Sequence, residues 1–179
     1  GAPGSEEYGR LFSKWTERWK DAAAKGDAGF HRIDKPAKGT AKEAAEKLIT
    51  AQAGATKSPL WIVLIGHGTF DGKKAKFNLQ GPDLEAGELA NWLKDSQRPI
   101  AIINCTSSSA PFLPALSRKS RVVITATRSG FEQNFSYFGG YLAAAISNLE
   151  ADFDKDGQTS LLEAWLAAAR HTADFYKNE

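Results

Sequence analysis

The chain reads as a three-layer α/β/α domain on a mostly parallel sheet. Short runs of β-branched and aromatic residues recur at residues 60–65, 100–104 and 122–126, and helical patterns separate them. Strands alternating with helices favour this class. The run Leu60-Trp61-Ile62-Val63-Leu64-Ile65 is unbroken by polar residues, as expected of a strand buried on both faces of a parallel sheet.

Taken in order, Gly1-Ala2-Pro3-Gly4 is turn chemistry. Tyr8, Leu11, Phe12, Trp15 and Trp19 fall three to four residues apart and predict an amphipathic helix that Gly26 ends. Residues 27–39 are polar, with a short strand expected at residues 30–33. Thr40 followed by Glu43 is a capping-box pattern opening a helix through about Gln52. Residues 76–80 read as a hairpin arm with its turn at Asp71-Gly72. Asp83 is expected to cap a helix carrying Leu84, Leu89, Trp92 and Leu93. A short helix fits residues 111–116. Two final helices, over residues 141–149 and 161–176, enclose an acidic loop. There is no repeat, low-complexity tract or linker, so residues 1–179 are read as one domain.

A hydrophobic fraction of 42%, a charged fraction of 25% and a net charge of +2 are those of an ordinary globule. They give no push toward nucleic acid or an anionic membrane. No apolar run approaches the ~20 residues of a membrane span. With one cysteine there is no intramolecular disulfide, and Cys105 stands out as a thiol kept for its chemistry. The chain lacks methionine and shows no signal peptide, so a longer parent chain with flanking domains is expected.

Two strands end in loaded loops. The first runs into Gly66-His67-Gly68, and the second into Cys105-Thr106-Ser107-Ser108-Ser109. Parallel strands deliver their following loops to one sheet edge, where ligands bind. Neighbouring strands lie about 4.8 Å apart. A histidine and a cysteine so placed can meet over a substrate. A free thiol, with a pKa of ~8.5, is mostly protonated at neutral pH. A nearby imidazole accepts that proton and later protonates a leaving amine. Gly66 and Gly68 let a substrate backbone approach. The N–H groups of Gly68 and Cys105 are candidate oxyanion donors.

Strand–Gly-His-Gly followed by strand–Cys-x-Ser-x-Ser resembles the caspase, legumain and gingipain group of cysteine peptidases. Cys105-Thr106-Ser107-Ser108-Ser109 looks most like the legumain branch, in a bacterial version. The stretch from Val123 through Thr125-Ala126-Thr127 to Glu132 resembles that branch too. The resemblance spans residues 60–150. It implies a caspase-like fold, a His67–Cys105 dyad and an oxyanion hole from Gly68 and Cys105. It also implies substrate contacts from Ser107 and from the loop carrying Glu132. The pattern departs from the family at Ile103-Asn104, where legumains have an acidic residue and alanine. The family's first strand would lie before Gly1.

The stretch from Asp152 to Glu163 fits a twelve-residue EF-hand loop. Asp152, Asp154, Asp156 and Glu163 take positions one, three, five and twelve, and Gly157 takes the sixth. Calcium takes six to eight hard oxygen ligands. The three aspartates, the Gln158 carbonyl, a water through Ser160 and a bidentate Glu163 supply them, within a helix–loop–helix over residues 141–176. The site is expected to be weak and structural, which suits an extracytoplasmic (periplasmic or secreted) location.

Glu132 and Asp71 are the acidic candidates for a pocket taking a basic side chain. Trp15, Trp19, Trp61, Trp92 and Trp165 are read as packing. Gly139-Gly140 is read as a close-packing step. The reading is a calcium-binding cysteine endopeptidase acting on peptides or proteins. The alternative is an inactive calcium-binding scaffold of peptidase-like fold.

Overall fold

The computed structural model describes residues 1–33, 38–54 and 56–178, and the chain is mixed α/β. The elements are α1 (Glu6–Lys25), α2 (Ala41–Gln52), β1 (Leu60–Leu64), β2 (Gly68–Phe70), β3 (Ala75–Phe77), β4 (Leu84–Glu85) and α3 (Ala86–Trp92). There follow β5 (Ile100–Asn104), α4 (Phe112–Leu116), β6 (Arg121–Thr125), α5 (Phe138–Ala145), a 3-10 turn (Leu149–Ala151) and α6 (Leu161–Lys177). They fall into two compact units, Gly1–Pro3 with Arg32–Ser136, and Gly4–His31 with Tyr137–Glu179. Among the described residues no helix is long and apolar enough to cross a membrane.

The first unit is built on a parallel sheet of order β1-β5-β6. β5 is central and buried at all five residues, as the middle strand of a covered parallel sheet requires. Ile62 and Leu64 of β1 share a face with Ile102 of β5, the face built into the unit's core with Leu89, Phe112 and Leu116. Helices α2, α3 and α4 supply Ala45, Ile49, Ala86 and those last three side chains. The expectation that β1 is buried on both faces is corrected. β1 is an edge strand of this sheet, and Trp61 on its other face is 42% exposed.

A second sheet, antiparallel in the order β2-β3-β4, starts one residue past His67. Its hairpin turn is held by the Asp71 carboxylate, which accepts from the N–H groups of Lys73 and Lys74. Two local expectations are corrected. Residues 30–33 form no strand. Asp83 does not cap α3; its carboxylate accepts from Leu79 N–H at 3.0 Å and from Asn78 Nδ2 at 3.3 Å, while the Glu88 carboxylate accepts from Glu85 N–H to close the start of α3. The Thr40–Glu43 capping box at α2 forms as the sequence predicts.

The second unit is helical. α1 begins at Ser5, whose hydroxyl accepts from Tyr8 N–H, and it buries Phe12, Trp15 and Trp19. Gly140 in α5 lies so close to Trp15 that a Cβ there would fall 2.7 Å from the indole Nε1. The glycine pair is therefore a packing step, as expected. α5 stops at Ala145, short of residue 149, and the Asn148 side chain accepts from Glu150 N–H to start the 3-10 turn. Tyr137 stacks on Phe175 at 4.6 Å and Tyr141 on His171 at 5.7 Å, joining α6 to α5 and the residue before it. Trp165 is 39% exposed, so its reading as a packed indole is corrected alongside that of Trp61.

Candidate functional site

The parallel register sets Leu64 opposite Asn104, and the Cys105 N–H extends the ladder by donating to the Leu64 carbonyl at 2.9 Å. The loops carrying His67 and Cys105 therefore leave neighbouring strands at the same sheet edge. They are also stitched together. Gly68 N–H donates to Ser107 Oγ at 3.3 Å, and that hydroxyl donates to the Gly68 carbonyl at 3.1 Å. Added to Gly68, a Cβ would fall 2.3 Å from the Ser107 carbonyl oxygen, so only glycine fits this seam.

His67 is half-buried. Its Nε2 lies 3.0 Å from the Pro3 carbonyl oxygen, and the ring of Phe135 meets it edge-on at 6.4 Å. A carbonyl only accepts, so this contact puts the proton on Nε2 and makes Nδ1 the basic nitrogen of the neutral ring. Residues 1–3 are themselves held. The Gly1 ammonium donates to the Ile65 carbonyl at 2.8 Å, and Ala2 N–H donates to the Asn78 carbonyl at 2.9 Å. Sequence reasoning missed Pro3 and Phe135 because both are far from His67 along the chain and neither carries a reactive group.

Cys105 is 2% exposed, and burial alone pushes its thiol up to about 12. The thiol donates no hydrogen bond, to His67 or to any other described residue. The following loop is sealed as well. Thr106, Ser107, Ser108 and Ser109 are all buried. Ser109 Oγ accepts from the N–H groups of Ala126 and Thr127, while Thr106 N–H and Oγ1–H donate to Asn104 Oδ1. Ser108 sits in the left-handed region at φ 53°, and its buried hydroxyl has no partner among the described residues. For a side-chain-bearing residue that conformation costs roughly 1–2 kcal/mol.

The expected oxyanion donors are both committed, Gly68 N–H to Ser107 and Cys105 N–H to the β-ladder. The expected acidic pair also serves turns. Glu132 Oε1 accepts from Arg128 N–H at 3.0 Å. Asp71 holds its hairpin, and the Lys74 and Lys73 amides keep its carboxyl below the ordinary range. Ser107 bridges the two loops.

In the second unit, Asp152, Asp154 and Asp156 bring one carboxylate oxygen each to within 4.8 Å of one another. Gly157 provides the bend at φ 88°. Asp152 accepts from Asp156 and Gly157 N–H, and Asp156 accepts from Gln158 N–H. At Asp154 the Asp156 N–H pulls the carboxyl down. Desolvation and the charges of Asp156, Glu163 and Asp152 outweigh it and leave the group above its ordinary value. Crowded carboxylates of this kind are hard oxygen donors short of positive charge. Glu163 adjoins the trio without bringing an oxygen into its cluster. Its Oε1 accepts from Phe153 and Asp154 N–H and its Oε2 from Ser160 N–H, and the Ser160 amide and hydroxyl lead in holding its carboxyl down at about 2. No family model, curated protein or solved structure matches this chain.

Proposed function

We propose that the first unit is a cysteine-type endopeptidase centre of caspase/legumain-like fold, and that the acidic loop of the second unit binds calcium structurally. The observation that carries the peptidase reading is the pair of loops on adjacent parallel strands, one ending in Cys105 and the other in an imidazole oriented by the Pro3 carbonyl. A nucleophile, a base and a group orienting that base are the parts such catalysis requires.

In this reading the thiol proton moves to Nδ1 of His67 as Sγ attacks the peptide carbonyl. The imidazolium then protonates the departing amine, and water hydrolyses the thioester to release the acid and restore the thiol. The buried, neutral thiol makes the described arrangement a resting one. Substrate engagement has to part the seam between Gly68 and Ser107, which also frees the Gly68 N–H for the oxyanion. The test is labelling with an acyloxymethyl-ketone peptide probe. Wild type labels at Cys105, while His67→Ala loses at least about 100-fold in rate. Equal labelling of Cys105→Ala refutes the assignment.

The second reading is a calcium-binding scaffold without turnover, and the sealed thiol at about 12 favours it. It predicts no labelling of the native protein at any probe concentration. Asp152, Asp154 and Asp156, the Gln158 carbonyl and a Glu163 turned from its amides would hold the ion. The ion supplies only positive charge to steady the loop. At a hundredfold excess over Kd, calcium stabilises by about 2.7 kcal/mol. No calorimetric heat and no change in Tm would remove this half of the proposal. A weak site of this kind fits the millimolar calcium found outside the cytoplasm.

A further inference from the structure

We infer that an aromatic wall beside His67, formed by Phe70, Phe131 and Phe135, selects peptides carrying an aromatic or bulky aliphatic side chain at the residue next to the scissile bond. The inference rests on the peptidase reading and names the substrate class of the same site.

Three geometric facts carry it. The Phe135 ring meets the His67 imidazole at 6.4 Å, so apolar surface continues directly from the base. Phe70, three residues past His67, meets Phe131 edge-to-face at 5.2 Å, yet Phe131 remains 71% exposed. The loop presenting Phe131 is fixed from two sides. Gly130 is pressed onto Phe70 so closely that a Cβ would fall 2.5 Å from Cδ1, and Ser108 N–H donates to the Glu132 carbonyl at 2.8 Å. A large ring held rigidly in water beside a site is poised to gain contact area from a ligand at little ordering cost.

Charge points the same way. The two carboxylates that would attract a basic side chain are bound to turn amides. Lys73 and Arg128, close in sequence to Phe70 and Phe131, are exposed cations that disfavour a basic side chain. An apolar side chain instead gains the open face of Phe131.

Two measurements test this on the full chain. The first uses three acyloxymethyl-ketone probes that differ only in the residue beside the warhead, Phe, Arg or Asp. Cys105-dependent labelling is expected to be about tenfold faster with Phe. Phe131→Ala should cut that preference to about threefold or less, and Phe131→Tyr should restore it. Faster labelling by the Arg or Asp probe overturns the inference and leaves the peptidase reading standing. The second measurement is chemistry-free. Acetylated tripeptide amides with central Phe or Arg are titrated into Cys105→Ala by NMR. Tighter binding of the Phe peptide that Phe131→Ala abolishes upholds the wall, even if no probe labels Cys105 and the peptidase reading falls. Equal binding of the two peptides overturns the inference.

Discussion

The loop after β5 and the loop before α6 are both rich in oxygen, and they use it in opposite ways. After Cys105, the hydroxyls turn inward and, Ser108 apart, are spent on backbone groups and neighbouring side chains, in surroundings almost free of solvent. Before α6, carboxylates converge in an exposed loop and repel one another. Low dielectric makes each satisfied bond in the first loop costly to remove. Water and salt screen the second, where losses are small until a cation arrives. The first loop is therefore a rigid part of the scaffold, and the second is the adjustable one.

Substitutions of decreasing size break or sharpen this contrast. Gly68→Ala forces a methyl group against the Ser107 carbonyl and the Thr106 side chain. It should cost about 3 kcal/mol in urea unfolding. Cys105, buried in the wild type, is expected to stay silent toward Ellman's reagent at pH 8 in the native protein and to react in this variant. Ser109→Ala strips the acceptor from the Ala126 and Thr127 amides at a fully buried position. About 2 kcal/mol is expected. In the open loop, Ser160→Ala removes the cap of α6 and should cost about 1 kcal/mol. Acid acts on the same box. Glu163 is held at about 2 against an ordinary 4.5, so its contribution is complete above pH 4.5 and is lost as pH falls toward 2. In Glu163→Gln that acid-induced fall in Tm should be smaller. Asp154→Asn is the mildest change. In chelator it should leave Tm nearly unchanged, since it also relieves repulsion, while the Tm rise with calcium disappears.

What the sequence revealed follows the same division. Local patterns read well. The Thr40–Glu43 box, the helix from Tyr8 to Trp19 and the spacing of Asp152, Asp154 and Asp156 depend on residues a few positions apart. The parallel placement of the His67 and Cys105 loops was legible as well, because two apolar runs separated by a helix-bearing crossover pair in parallel. Solvent contact was not. Leu60–Leu64 is wholly apolar and Ile100–Asn104 ends in Asn, yet the first is an edge strand and the second central, and only the assembled sheet decides which. The role of Asp83 was misread for a related reason: a two-residue strand pairs with β3 where a helix was expected to begin, and the carboxylate serves the preceding turn. Pro3 lay outside any pattern, since a main-chain carbonyl has no signature in the side-chain alphabet.

That carbonyl has a practical consequence. The imidazole is steadied by a short segment that is itself anchored at the Ile65 and Asn78 carbonyls, so a change at Pro3 that shifts its main chain would reach the ring without altering any reactive side chain.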